Sequence, residues 1–265
     1  MNDTLYIEGF GAVSSYESLA DFPHGPAAEL PKLDLSLLER SLRRGLSDVT
    51  RLFMHAAQLA LHDAAVSAED LHIVFASAFG ELGTAEALMD LAVSENGSSP
   101  ARFRHSVHNA APGLLSISAH NVRASTAIAA GWDTVAMGLL EAQALLLAGE
   151  KRVLLVFADE LIPRSLSDAH VYGPVGVAFV LSQTLGTIPP RATLSRLKRA
   201  SREQSSLRDP FAGPNHPLGP AMFLAQTLAN AGTETVQLGE GPQPWCVELR
   251  ALRPATREPT AEVAR

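Results

Sequence analysis

The sequence predicts an α/β protein, a layered sheet with helices on both faces. Three observations predict it. Strand-like and helix-like segments alternate through residues 1–200 of a 265-residue chain. The runs LHIVFASAFG (71–80) and RVLLVFADE (152–160) are continuously apolar, as suits strands covered on both faces. Between them AAGWDTVAMGLLEAQALLLAGE (129–150) is long enough for a crossover helix, ending at Gly149.

The elements follow in order. LYIEGFGAVS (5–14) predicts the first strand, and DFPHGPAAELPKLD (21–34) is Pro-rich and irregular. Residues 35–66 carry two helical patterns. In the second, Leu52, Ala56, Leu59 and Ala60 recur at helical spacing, with Ser47 or Asp48 as N-cap. After the strand at 71–80, ELGTAEALMDLAVSE (81–95) predicts a helix and NGSSPARFRHSVHN (96–109) a loop. AAPGLLSISAH (110–120) is a helix with Pro112 in its first turn. VRASTAI (122–128) is a strand leading into the long helix. GPVGVAFVLSQT (173–184) is a strand, and TIPPRATLSRLKRAS (187–201) holds a further one.

The character then changes. Residues 201–220 are polar and turn-rich, 217–232 predict one helix, and TVQLGEGPQPWCVEL (235–249) a hairpin around Gly-Pro. A charged tail follows. The expected organisation is one domain over 1–200 and a small α+β cap over 201–265.

Composition excludes several classes of function. The net charge is −7, without a clustered basic face, so nucleic-acid binding is not expected. The single cysteine, Cys246, excludes an internal disulfide and a multi-cysteine zinc site. The N-terminus has no signal-peptide pattern, and the apolar stretch 135–149 is interrupted by Glu141 and Gln143. The expectation is a cytoplasmic protein that meets no membrane.

Catalytic constellations are wanting. No G-x-S-x-G elbow is present, and AFGELG (78–83) matches no phosphate-binding loop. His105 and His108 lack a neighbouring carboxylate and suit a surface or interface pair better than a metal site, so neither metal nor cofactor is expected. Asp159-Glu160 ends the strongest strand, where active-site carboxylates occur, although a structural role is favoured. Cys246 reads as an inert buried thiol.

One stretch fits a known pattern. Thr126-Ala127-Ile128-Ala129-Ala130-Gly131 lies at a strand-to-helix turn and resembles the Thr-Ala-Cys-Ala/Ser-Ser/Gly-Gly nucleophile motif of the β-ketoacyl synthase family, of thiolase fold. The helix closing with Ala148-Gly149-Glu150 and the strand Val153 to Glu160 are similar to the segments that follow in that family. So are Asn109 with SIS (116–118) upstream and GPVGVAFVLS (173–182) downstream, where Val175 stands in place of a glutamate. The resemblance spans about residues 3–200.

What it implies turns on the departures. Ile128 occupies the nucleophilic cysteine's place, and an alkyl side chain cannot form a thioester. The family's two catalytic histidines belong to a C-terminal half for which no matching motif is found here. The chain is therefore similar to chain-length-factor subunits, non-catalytic partners of active ketosynthases in type II polyketide, aryl polyene or fatty-acid-like systems. The resemblance implies a heterodimer with a β-ketoacyl-ACP synthase, the acyl carrier protein being received mainly by that partner. It implies a pairing strand of Val122, Arg123, Ala124, Ser125, Thr126 and Ala127. It implies that Phe103, Val107, His108 and Ala111 close the far end of the partner's acyl tunnel. Each methylene refused there is worth roughly 1–3 kcal/mol. Ile128 would fill the former pocket, with a gain of roughly 1.5–3 kcal/mol. Two other readings stay open: a degenerate enzyme acting on thioesters through His105, His108 or Asp159, and a homodimeric acyl-binding or regulatory protein.

Overall fold

Runs of β-branched and aromatic residues form the strands of one mixed sheet: β1 (Thr4–Ser14), β2 (His72–Ala76), β3 (Ser125–Ile128), β4 (Arg152–Asp159), β5 (Val175–Ser182), β6 (Ala192–Ser195), β7 (Lys198–Arg199), β8 (Thr233–Gln237) and β9 (Trp245–Ala251). The helices are α1 (Asp48–Ala64), α2 (Leu82–Val93), α3 (Pro100–Phe103), α4 (Ala110–Ser118), α5 (Thr134–Leu147) and α6 (Gly219–Ala229). The computed structural model describes residues 4–15, 30–94, 100–166, 173–186, 188–200, 216–239 and 243–252. The expected irregular stretch at 21–29, the turn-rich 201–215 and the tail from 253 lie outside the described residues.

β3, β2 and β4 run parallel, joined by helical crossovers. β5, β1, β6 and β9 continue the sheet antiparallel from β4. β6 and β7 pair with one edge of β9, and β8 with the other. The α6–β8–β9 segment, read from sequence as a cap, thus extends the same sheet. Its Leu218, Met222, Leu228, Val247 and Leu249 join the core that α5 forms with the sheet.

The fully buried β5 and nearly buried β4 carry cores on both faces, as their unbroken apolar runs predict. On one face α1 and α4 pack over Phe75, Leu154, Val156 and Val180, with Phe53 edge-on to Phe75 at 5.3 Å between centroids. On the other, α5 and α6 pack over Leu155, Phe157 and Phe179. The alternation of Leu154, Leu155, Val156 and Phe157 between the two faces is the two-residue period of a strand. The bare Cα atoms of Gly9 and Gly11 let α1 lie against β1: a Cβ at Gly9 would stand 2.4 Å from the Ala64 amide nitrogen. Ser47 is the N-cap of α1, its side chain accepting the Thr50 N–H at 3.1 Å.

Some expectations need correction. Of the two helical patterns in 35–66, only the second is an α-helix; the first yields a 3-10 turn at Arg40–Leu42. Local side-chain bonds compete with the helix there. The Ser36 N–H donates to Asp34 Oδ1 at 2.8 Å, the Arg43 guanidinium donates to the Leu38 carbonyl, and Gly45 has φ +70°. The expected loop 96–109 contains the single turn α3. The strand expected at 122–128 begins at Ser125, and a 3-10 turn at Gly131–Asp133 precedes α5.

Candidate functional site

The carboxyl ends of the parallel strands β3, β2 and β4 converge on Ile128, Ser77 and Asp159. The Ser77 N–H donates to the Ile128 carbonyl at 3.0 Å, and the Ser77 hydroxyl donates to Asp159 Oδ1 at 2.5 Å. Ile128 is half-buried and packs against the core on the α5 side. Beyond it the chain turns through Gly131, at φ +55°. Thr134 closes this turn by accepting the Ala130 N–H at 3.1 Å and donating to the Gly131 carbonyl at 2.7 Å. The strand-to-helix elbow is thus intact, and its side chain is aliphatic.

Three carboxyls surround the neighbouring turn. Asp159 accepts the Ser77 hydroxyl and the Ala78 and Phe79 N–H groups, the latter two at 3.2 Å. Ser77 in turn accepts the Gly80 N–H at 2.7 Å. Glu160 accepts from Gly83 at 2.7 Å and from Val49 at 3.4 Å, and Glu81 accepts from Thr50 Oγ1 at 3.0 Å. Burial pushes Asp159 up to about 7 against the pull of its hydrogen bonds, and the charge of Glu160 adds to the rise. Burial likewise pushes Glu81 up to about 7 and raises Glu160. The Ser77 hydroxyl and the Asp159 carboxyl are sealed from solvent and spent on one another and on backbone amides. They hold the turn together.

The segment 103–111 splits into an outer and an inner part. Phe103 is 62% exposed and Val107 40% exposed. Ala111 is fully buried in the core under α1. His108 lies between, its ring edge-on to Phe75 at 5.4 Å and against Gly80, where a Cβ would stand 3.3 Å from its Cδ2. Gly80 has φ +66°, so the turn itself favours glycine. His105 accepts from Arg104 Nε at 3.1 Å. Burial lowers the pKa of both histidines, with Arg104 adding to the fall at His105. Among the described residues no group of three or more His, Cys, Asp or Glu is placed to hold a metal ion. Cys246 is fully buried, and burial raises its thiol pKa.

β3 is an edge strand of the sheet. The Ala124 and Ile128 carbonyls face β2, so the alternation leaves the main-chain groups of Ser125 and Ala127 on the outer side. Val122, Arg123, Ala124 and Ser125 are exposed, Val122 at 96%, and Thr126 and Ala127 are half-buried. The start of the strand is pinned by Asn121, whose Nδ2 donates to the Ala68 and Leu71 carbonyls at 2.7 and 2.8 Å, and by the Arg123–Asp70 ion pair at 2.6 Å. Thr126 donates to Glu141 of α5 at 3.1 Å. Elsewhere, beside α3, α2 is an apolar helix without a buried residue, exposing Met89 and Val93. Such surface is characteristic of a contact with another chain.

Sequence reasoning singled out Ile128, His108, the Asp159-Glu160 pair and the turn glycines of residues 78–83 but missed Glu81, Ser77 and His216. His216 is buried, with its Nε2 3.2 Å from the Gly173 carbonyl and its Nδ1 accepting the Leu218 N–H at 3.0 Å. An acid directly after a strand-to-helix turn was the available signal for Glu81; His216 offered none.

Comparison with known proteins gives a consistent result. The sequence profile described as "Beta-ketoacyl synthase, N-terminal domain" matches residues 18–246. A chain from the complex of the ketosynthase ApeO with its chain length factor ApeC, from Xenorhabdus doucetiae, is 25% identical. The match has a TM-score of 0.70 and covers 92% of this chain and 99% of that one. A chain of the ishigamide ketosynthase/chain length factor is 15% identical, with a TM-score of 0.69 over 94% of this chain and 100% of that one. A chain of AntDE:AntF, a type II polyketide acyl-carrier protein in complex with its ketosynthase, is 11% identical. Its TM-score is 0.66, over 95% of this chain and 100% of that one. No curated protein matches the chain.

Proposed function

Since the chain belongs to the β-ketoacyl synthase N-terminal domain family, we propose that it is a non-catalytic chain-length-factor subunit. It pairs with an active β-ketoacyl-ACP synthase and shapes the far end of that partner's acyl tunnel. The pathway class is polyketide, aryl polyene or fatty-acid-like biosynthesis. The observation that carries the reading is Ile128 on an otherwise preserved elbow. The turn that would present a nucleophile is built and hydrogen-bonded, and its side chain has no proton to lose. The Ser77–Asp159 pair beside it is closed off and replaces no part of that chemistry.

The open edge of β3 supports a partner, because unpaired main-chain groups favour strand addition. The exposed Phe103, at the end of α3 beside the apolar α2, and the exposed Val107 supply side chains that can reach into another subunit. The partner contributes the cysteine and the histidines and receives the acyl carrier protein. The ApeO–ApeC likeness, at 25% identity over nearly the whole chain, supports this pairing.

Co-expression with a candidate ketosynthase tests the reading. The expected result is a 1:1 complex on size exclusion with mass analysis, with condensing activity lost when the partner's cysteine is replaced. A lone homodimer would favour a regulatory protein, and thioester turnover by the isolated chain would favour an enzyme. Either outcome overturns the proposal.

A further inference from the structure

Asp159 lies about 80 residues from the turn it touches, yet it accepts three donors from that turn: the Ser77 hydroxyl and the Ala78 and Phe79 amides. Ser77 closes the loop by accepting the Gly80 amide. Residues 77–80 are therefore folded around one carboxyl contributed by another strand. The outer side of this turn is the bare Cα of Gly80, and the imidazole of His108 lies against it. The same ring meets Phe75 of β2 edge-on at 5.4 Å, and Phe75 is fixed in the core. His108 thus lies against both a rigid strand residue and a turn whose shape depends on Asp159. Its Nε2 is buried and, among the described residues, without a hydrogen-bond partner. No polar contact at that atom fixes the ring among the described residues, so packing sets its place.

We infer that Asp159, acting through Ser77 and Gly80, is a positioning residue for the tunnel-end wall at His108, and so a determinant of product length. This rests on the chain-length-factor reading. The chain of contacts runs from carboxyl to hydroxyl, hydroxyl to Gly80 amide, and Gly80 to imidazole. Loosening the first link releases the Ala78, Phe79 and Gly80 amides and lets the turn retreat from His108, which frees the imidazole to move with it. A wall displaced by about one methylene changes length discrimination by roughly ten-fold.

The test uses the complex of the full chain with its ketosynthase. Ser77→Ala removes the hydroxyl that links Asp159 to Gly80. Asp159→Asn keeps the volume and offers an N–H group to an amide that needs an acceptor. Gly80→Ala, which forces the turn and crowds His108 from the turn itself, serves should Asp159→Asn fail to fold. Three quantities are read: complex stoichiometry, amide exchange at residues 78–80, and the ratio of adjacent product lengths within total product. The expected result for Ser77→Ala and Asp159→Asn is a 1:1 complex, faster exchange at 78–80, and a ratio shifted about ten-fold toward longer product. Gly80→Ala is expected to shift it toward shorter product. A 1:1 complex with exchange increased and product ratios unchanged overturns the inference, as does unchanged exchange. Failure of the parent reading looks different: the unmodified chain then forms no complex with the synthase.

Discussion

The Asp159 carboxyl makes the stability of this chain depend on pH in a direction unusual for an acid. Its pKa of about 7 in the fold, against an ordinary 3.8, means that the folded chain binds a proton that the unfolded chain releases. In the window between those values the folded state binds more protons, so this group's contribution to stability rises as pH falls through 7 and is complete near the unfolded value. The charge that acts on it is that of Glu160, the residue after the strand; Glu160 is itself raised by the charge of Asp48 and acts in turn on Glu81. The perturbation is Asp159→Asn, which removes the titration. From about pH 8 to about pH 5.5 a group with a folded pKa near 7 gains about 2 kcal/mol. The wild type should therefore gain about 2 kcal/mol on the variant across that range. For a domain of this size that is about 4–8 °C in melting temperature. Urea melts at several pH values measure it, compared as differences so that the histidines cancel. A difference between wild type and variant that is flat with pH, or that grows toward alkaline pH, would refute the reasoning.

Other outcomes follow from the same structure. His216→Gln should behave in the opposite sense. Burial holds His216 down at about 4 against an ordinary 6.5, so the wild type loses about 2 kcal/mol relative to the variant between about pH 7.5 and about pH 5, read from the same urea melts. Phe103→Ala should leave the isolated chain's melting temperature within a few degrees, because the ring is largely exposed, while the complex makes longer products by mass spectrometry. Ala127→Pro should be tolerated by the fold at an edge strand but lower the complex's association constant at least about ten-fold by calorimetry, since the outward N–H is lost. Gly9→Ala should destabilise by about 3 kcal/mol or more in chemical melts, because the new Cβ meets the backbone of α1 rather than a movable side chain.

Much of the fold was legible because its signals are local. The apolar runs of β4 and β5 and the Ser47 cap of α1 each carry their own instruction. The first helical pattern in 35–66 was misleading because Asp34, Arg43 and Gly45 redirect the backbone, through bonds that periodicity does not register. The place of the site was legible in Ile128, since the elbow sequence survives around the substitution. The surroundings were not. Asp159 and Glu160 were visible as strand-end acids, but their partners lie about 80 and 110 residues away and are mostly backbone amides. A main-chain donor has no residue type to betray it. The 201–265 segment read as a separate cap because its composition changes, whereas strand pairing of β9 with β6 depends on tertiary register.

The margins of the described sheet are unlike. β3 ends it on a neutral strand flanked by exposed apolar residues, while the far side carries the exposed Lys198-Arg199 of β7 and the Thr233-Glu234-Thr235-Val236-Gln237 of β8, with Thr233 and Glu234 exposed. Two equally adhesive ends would let copies add head to tail without limit, giving fibres. A charged, hydrophilic terminus discourages that growth on its side. The neutral border at β3 is thus the margin of the described sheet that charge does not guard.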